Sequence, residues 1–300
     1  MYRAIERNKR YSIALIVLFA LVVVALSAWL SIAAQSPWPA IVVIGFAGGY
    51  TWWQLRSALK SAAKHAGCIE VSAAQEPELC RVVENLAIRN GMPVPRVCVI
   101  EDAEPNALAL GMSPDNALVA ATRELLNSLT PTELEAVMAH EMAHIKNYDS
   151  RVKLTLFALV GSIAVIASML FATGIALVTV RAGLRSKVFF AMIGLGILVT
   201  GALFAIVAYV IGPLVSAAVS RRREYLADAS AVEMTRYGEG LITALQKIER
   251  APRRPGRVAI ATQSFYFASP FRGGFFASWV ASHPSTQKRV ERLEAMETNF

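Results

Sequence analysis

"MAHEMAHIKNYD", residues 138–149, sets His140 and His144 four positions apart, with Glu141 directly after the first. What precedes it decides how it folds. In "LTPTELEAV", Thr130 suits an N-cap, Pro131 suits the first helical position, and Glu133 is placed to close a capping box with Thr130. The two histidines therefore fall about two to three turns inside a helix, where a spacing of four puts both on one face. His-Glu-x-x-His on a helix is a metal-site signature. The imidazoles offer two ligands one turn apart, and Glu141 sits on the adjoining edge as a base toward an attacking water. Zinc is the expected metal, and its catalytic sites take three protein ligands, so a third must come from elsewhere.

The best source is "REYLAD", residues 223–228. Glu224 and Asp228 lie one helical turn apart; Glu224 can bind metal while Asp228 accepts a hydrogen bond from a ligand histidine and fixes its tautomer. A surface glutamate paired with a neighbouring arginine is the plainer alternative. Arg221 lies three residues before Glu224, placed to steady Asp228, to grip substrate or to touch lipid. His283, in "SHPST", is either a donor to the oxyanion of an acyl-transfer intermediate or a cap for the last helix. His65 reads as a surface residue.

The rest of the 300-residue chain is strongly apolar, with 55% hydrophobic and 17% charged residues. Four stretches carry no charge: residues 11–34, 35–55, 154–180 and 188–220. Each is long enough to span a bilayer, which takes about 20 residues. The first run of 24 uncharged residues exceeds a signal-peptide core of roughly 7–15. It reads as a retained anchor, although "LSIAAQS" offers small residues for cleavage. The net charge of +8 clusters beside apolar segments, which points to membrane topology and anionic lipid rather than nucleic acid. Arg3, Arg7, Lys9 and Arg10 precede the first span while "QSPWPA" after it has no charge. This places both polar regions in the cytoplasm, against a dissenting patch at Arg181, Arg185 and Lys187. Cys68, Cys80 and Cys98 are spaced as neither a disulfide framework nor a zinc site.

Between the spans, "EPELCRVVENLAIRNG" reads as a helix ending at Gly91 and "PRVCVIED" as a strand. "NALALGMSPDNALVAAT" reads as two strands about a turn, and "TRELLNSL" as helix. Pro213 is a candidate kink. The Pro-, Gly- and Phe-rich residues 252–275 read as a mobile lid or a membrane contact. "STQKRVERLEAME" reads as a short amphipathic helix with its charges in solvent.

"PNALALG" (105–111), "NALVAATRELL" (116–126), "AHEMAHIKNYD" (139–149), "SRRREYLAD" (220–228) and "HPSTQKRVERL" (283–293) follow one another in an order that resembles the HtpX-type membrane metalloproteases, relatives of the CAAX prenyl endoprotease. The "PNALALG" stretch lacks the aromatic residue more usual there. The resemblance implies one zinc ion held by His140, His144 and Glu224, with Glu141 as base. It also implies an edge strand at Asn106, Ala107, Leu108, Ala109, Leu110 and Gly111 that pairs with substrate backbone, plain sheet core being the alternative.

The expected fold is α+β and mostly helical: four transmembrane helices plus a zincin-like protease domain built from two cytoplasmic segments. Residues 1–55 form the tail and first hairpin, 56–151 the first catalytic segment, 152–219 the second hairpin and 220–300 the second catalytic segment. The expected function is a zinc endopeptidase of a bacterial inner membrane, acting on misfolded or surplus membrane proteins. Alternatives are a prenyl-protein protease, an intramembrane protease and a non-catalytic zinc-containing membrane scaffold. Glu133, Glu135, Lys146, Asn147 and Asp149 make the motif helix too polar for lipid, and structural zinc sites are usually closed by a fourth protein ligand. The oligomeric state has no signature.

Overall fold

Uncharged runs flanked by basic residues become long helices in the computed structural model, which describes residues 2–33, 35–180, 183–251, 265–267 and 284–297. The first two are α1 (Tyr2–Ala33) and α2 (Trp38–His65). The polar stretch that follows folds as β1 (Cys68–Glu70), α3 (Pro77–Arg89), β2 (Arg96–Ile100), β3 (Ala107–Ser113), β4 (Asn116–Thr122), α4 (Arg123–Ser128) and α5 (Pro131–Lys146). Two more long helices, α6 (Asp149–Val178) and α7 (Leu184–Ile206), precede α8 (Gly212–Thr235) and α9 (Glu239–Arg250); α10 (Thr286–Glu297) comes last.

The chain divides into two compact units. One holds Met1–Ile13, Ala58–Leu154 and Ser216–Phe300; the other holds Ala14–Ser57 and Thr155–Val215. In the second unit α6 and α7 approach backbone to backbone: a Cβ on Gly194 would lie 2.8 Å from the Gly174 carbonyl oxygen. Small residues permit such contact between helices in lipid. A π-helical turn, Val207–Ile211, joins α7 to α8 immediately before Gly212 and Pro213. Proline has no N–H to give the preceding turn, and the π turn is how the helix continues past the expected kink.

Among the described residues, three helical stretches are long and apolar enough to cross a membrane: Ile5–Trp29, Asp149–Val178 and Arg185–Ile211. The expectation of four spans is met three times by this measure. Helix α2 is long enough at 28 residues, but Tyr50, Trp52, Trp53 and Gln54 interrupt its apolar run.

The first unit is built on a four-stranded mixed sheet in the order β1–β2–β4–β3, with β2 and β4 parallel and the other pairs antiparallel. Strand β1 is too short to carry a legible alternation and had no sequence signal. Leu79, Val83 and Leu86 of α3, Val99 and Val119 of the sheet, and Val137 and Met138 of α5 share one buried core. Strand β3 is the sheet's edge, and α5 packs on it. At Gly111 a Cβ would meet the Ala117 Cβ of β4 at 2.7 Å, so only glycine fits that crossing.

Candidate metal centre

The N-terminus of α5 forms as its residues dictate. Thr130 Oγ1 accepts from Glu133 N at 3.4 Å, and Glu133 Oε2 accepts from Thr130 N at 2.8 Å, closing the capping box. Every residue from Ala136 to Ile145 is buried. His140 and His144 thus meet one turn apart, both buried, their rings edge to face at 4.8 Å.

Helix α8 brings Glu224 between them. Its Oε2 lies 3.5 Å from His140 Nε2 and its Oε1 lies 3.5 Å from His144 Nε2. The Lys153 Nζ, also buried, stands 3.7 Å from Glu224 Oε1. Each histidine has a carboxylate behind it: Asp228 Oδ1 is 2.9 Å from His140 Nδ1, and Asp149 Oδ2 is 3.2 Å from His144 Nδ1. A carboxylate at Nδ1 keeps the proton there, so both Nε2 lone pairs point toward Glu224. His140 Nε2 and both oxygens of Glu141 are buried and make no hydrogen bond. Groups of this kind rarely stay buried without a ligand. His140, His144 and Glu224 present ligand atoms all within 4.8 Å of one another, and they can hold a metal ion.

The electrostatics follow from burial. Burial pushes the Glu141 carboxyl up to about 7 and pushes His144 down to about 4, with Lys153 adding to the latter. His144 is therefore neutral at physiological pH, as a ligand must be. Burial and Arg289 push His140 down, but the carboxylates of Asp228 and Glu224 outweigh them and raise it. Burial pushes Asp228 up, yet Arg289 and His140 hold it below the usual carboxylate range.

Arg289 of α10 is the residue that sequence reasoning missed. It grips Asp228 with two bonds, Nη2 to Oδ1 at 2.6 Å and Nε to Oδ2 at 3.0 Å. It also stacks its guanidinium 4.7 Å over the Phe267 ring, which meets His140 edge-on at 5.0 Å. The charges of α10 were expected in solvent; Arg289 is instead buried. A lone acid at 228 needing a cation was the one available hint. Asp149 stood inside the motif stretch, but nothing there marked it as the partner of His144.

Strand β3 holds residues 107–111 of the expected substrate-binding run, while Asn106 just before it is locked to Thr122 through Asn106 N to Thr122 Oγ1 at 2.8 Å. Part of the edge is already paired. Leu108 forms an antiparallel bridge with Tyr266, and Phe267 N donates to the Ala107 carbonyl at 2.7 Å. His65 is exposed, its Nδ1 against the Ser61 carbonyl at 2.7 Å. Arg221 lies on α8, but its side chain is outside the described residues, as are His283 and all of 252–275 except Phe265–Phe267.

Two buried imidazoles and a carboxylate around one point, with a second carboxylate beside them, define a metal-dependent hydrolase site on a chain whose helices include three long and apolar enough to cross a membrane. The comparisons with known proteins agree. Residues 73–297 match the model of peptidase family M48, and the chain belongs to that family. A protease HtpX homologue of Tropheryma whipplei (strain TW08/27) is 37% identical over 260 residues, covering 87% of this chain and 86% of that one. Another, of Listeria monocytogenes serotype 4b (strain F2365), is 42% identical over 234 residues, 74% of each chain. A third, of Listeria innocua serovar 6a, is 37% identical and covers 99% of this chain and all of its own. The crystal structure of S. mikatae Ste24p aligns with a TM-score of 0.48 at 18% identity, covering 98% of this chain and 66% of that one, below the level that shows a common fold. The protein is a membrane metalloendopeptidase.

Proposed function

We propose that the protein is a zinc endopeptidase carrying one zinc ion on His140, His144 and Glu224, and that it acts on misfolded or surplus membrane proteins. The observation that carries the zinc reading is the donor geometry. Bonds of about 2.0–2.1 Å in a tetrahedron put neighbouring ligand atoms about 3.4 Å apart; here each histidine Nε2 stands 3.5 Å from one oxygen of Glu224, Oε2 for His140 and Oε1 for His144, and one ligand atom from each residue lies within 4.8 Å of the others. Two histidines and one carboxylate leave a fourth position for water or substrate. When bound, zinc supplies a Lewis acid and makes water a nucleophile at neutral pH.

The chain's own residues do the rest. Asp228 and Asp149 hold Nδ1–H of the two histidines, so both Nε2 atoms face inward. Glu141 takes a proton on its carboxylate from the attacking water and returns it to the leaving amine. The burial of Glu141 keeps it basic enough to do so near neutral pH. A substrate backbone in extended form adds to the edge strand, a mode tolerant of side-chain sequence. Since Ala107 and Leu108 are taken by Tyr266 and Phe267 and the Ala109 carbonyl accepts from Ser150 Oγ, a substrate would pair with the strand from Leu110 toward Ser113. His283 is kept as an oxyanion donor and Arg221 as a support for Asp228 or for substrate.

The layout proposed is multi-pass, with α2 as a fourth span beside the three, in the plasma (inner) membrane of a bacterium. The catalytic segments 56–151 and 220–300 lie on the cytoplasmic side, with 1–55 and 152–219 as the hairpins. Large exposed apolar residues on α2, among them Trp38, Val42 and Trp52, suit a lipid-facing helix. Glu141→Gln is the test. It removes the base and not a ligand, so zinc content should match the wild type while hydrolysis of an unfolded membrane-protein substrate falls by about 10²–10⁴-fold. Near-normal turnover would end the assignment of Glu141.

A further inference from the structure

We propose that Asn8, near the start of α1, is a positioning residue of the metal centre, acting on His144 through Asp149. It rests on the zinc reading of His144 and adds a part of the chain far from the motif in sequence.

Asn8 is only 1% exposed. Its Nδ2 donates to Asp149 Oδ1 at 2.7 Å and to the Asn147 carbonyl at 2.8 Å. An amide nitrogen has two hydrogens, and both are used. The opposite amide orientation would set Oδ1 against a carboxylate and a carbonyl with no proton between them, so chemistry fixes which end points where. The other oxygen of Asp149, Oδ2, is the one behind His144 Nδ1 at 3.2 Å. One carboxylate thus joins the N-terminal helix to a metal ligand.

The bonds fall on the joint between α5 and α6. Asn147 is the C-cap of α5, Tyr148 has the left-handed φ of +60°, and Asp149 opens α6. A bulky residue in that conformation costs free energy and persists only where neighbours enforce it. Asn8 grips the residue on each side of it, and Lys9 Nζ sits 4.4 Å over the Tyr148 ring. Arg223 Nε, 3.6 Å from Asp149 Oδ1, holds the same carboxylate from α8. Arg223 supplies charge, while Asn8 supplies direction: its two bonds set where Asp149 points, and hence how the His144 ring is turned.

The test is a zinc competition titration on the full chain in detergent, for wild type, Asn8→Ala, Asp149→Ala and the double variant. Each single change should lower zinc affinity by about 10–100-fold, the usual effect of losing an outer partner. The double variant should bind no worse than Asp149→Ala, because Asn8 turns the His144 ring only through Asp149. A role limited to holding the fold predicts additive losses instead. Asn8→Asp has the same shape with no hydrogens to donate, and covers the case in which Ala fails to fold; it should lose at least as much affinity. Cobalt-loaded Asn8 variants should also show a shifted visible spectrum. Zinc affinity within about twofold of wild type in both Asn8 variants, or additive losses in the double variant, would overturn the proposal. A wild-type chain that takes up no zinc would overturn the zinc reading and this proposal together.

Discussion

Arg289→Met would strip a buried carboxylate of its cation while keeping most of the volume. Arg289 and Asp228 are each 2% exposed, and two bonds of 2.6 and 3.0 Å join them. Removing one partner of such a pair costs about 3–5 kcal/mol, because the other charge stays buried alone. For a chain of this size each kcal/mol moves the midpoint by about 2–4 °C, so thermal unfolding should drop by about 6–20 °C. Arg289→Lys keeps the charge but not the planar fork, and should lose less, about 1–3 kcal/mol. The effect has a pH signature. Despite burial, Asp228 titrates below its ordinary value because of Arg289 and His140. A carboxylate with a lowered folded pKa stabilises the protein above its unfolded pKa and loses that contribution as pH falls through the folded one. The gap between wild type and Arg289→Met should therefore be widest near neutrality and narrow below about pH 4. Circular-dichroism melts of the metal-free protein at neutral and acid pH provide the assay. A loss under about 1 kcal/mol at neutral pH, or one independent of pH, would refute the reasoning.

Gly111→Ala should cost about 1–3 kcal/mol by overpacking, since its Cβ would press on Ala117 Cβ at 2.7 Å; an unchanged melting midpoint would contradict this. In the metal-free protein, Glu141→Gln should gain on wild type as pH rises. The folded pKa of Glu141 is about 7, so wild type loses stability from its unfolded pKa up through that value, about 3 kcal/mol in all; a gap constant with pH would count against it. Cysteines introduced at Ser36 and Ser72, with the native cysteines replaced, should label from opposite sides of the membrane, and labelling from one side would sink the topology.

Much of the centre was legible because its signals are local. A threonine, a proline and a glutamate announce the start of α5, and the spacing of four puts His140 and His144 on one face whatever surrounds them. Glu224 and Asp228 follow the same periodicity on α8. The strands at 96–100, 107–113 and 116–122 were readable as short apolar runs, the last two set about a Ser-Pro-Asp-Asn turn. What escaped depends on distance in sequence. Arg289 sits in a helix whose other charges look solvated, and nothing in its neighbours says that Asp228 waits 61 positions earlier. Asp149 lies beside the motif, but its direction depends on the left-handed turn at Tyr148 and on Asn8, 141 residues away. Helix α2 was counted as a span for its lack of charge, whereas its aromatic and glutamine residues lower its apolarity below that of α1, α6 and α7.

Glu224→Ala tests the central claim most directly, through zinc per chain by elemental analysis of protein purified beside the wild type. The account predicts about one zinc in the wild type and close to none in the variant, since two imidazoles alone leave the site short of its third ligand. Full zinc in Glu224→Ala would contradict it, and would place the third ligand on another residue.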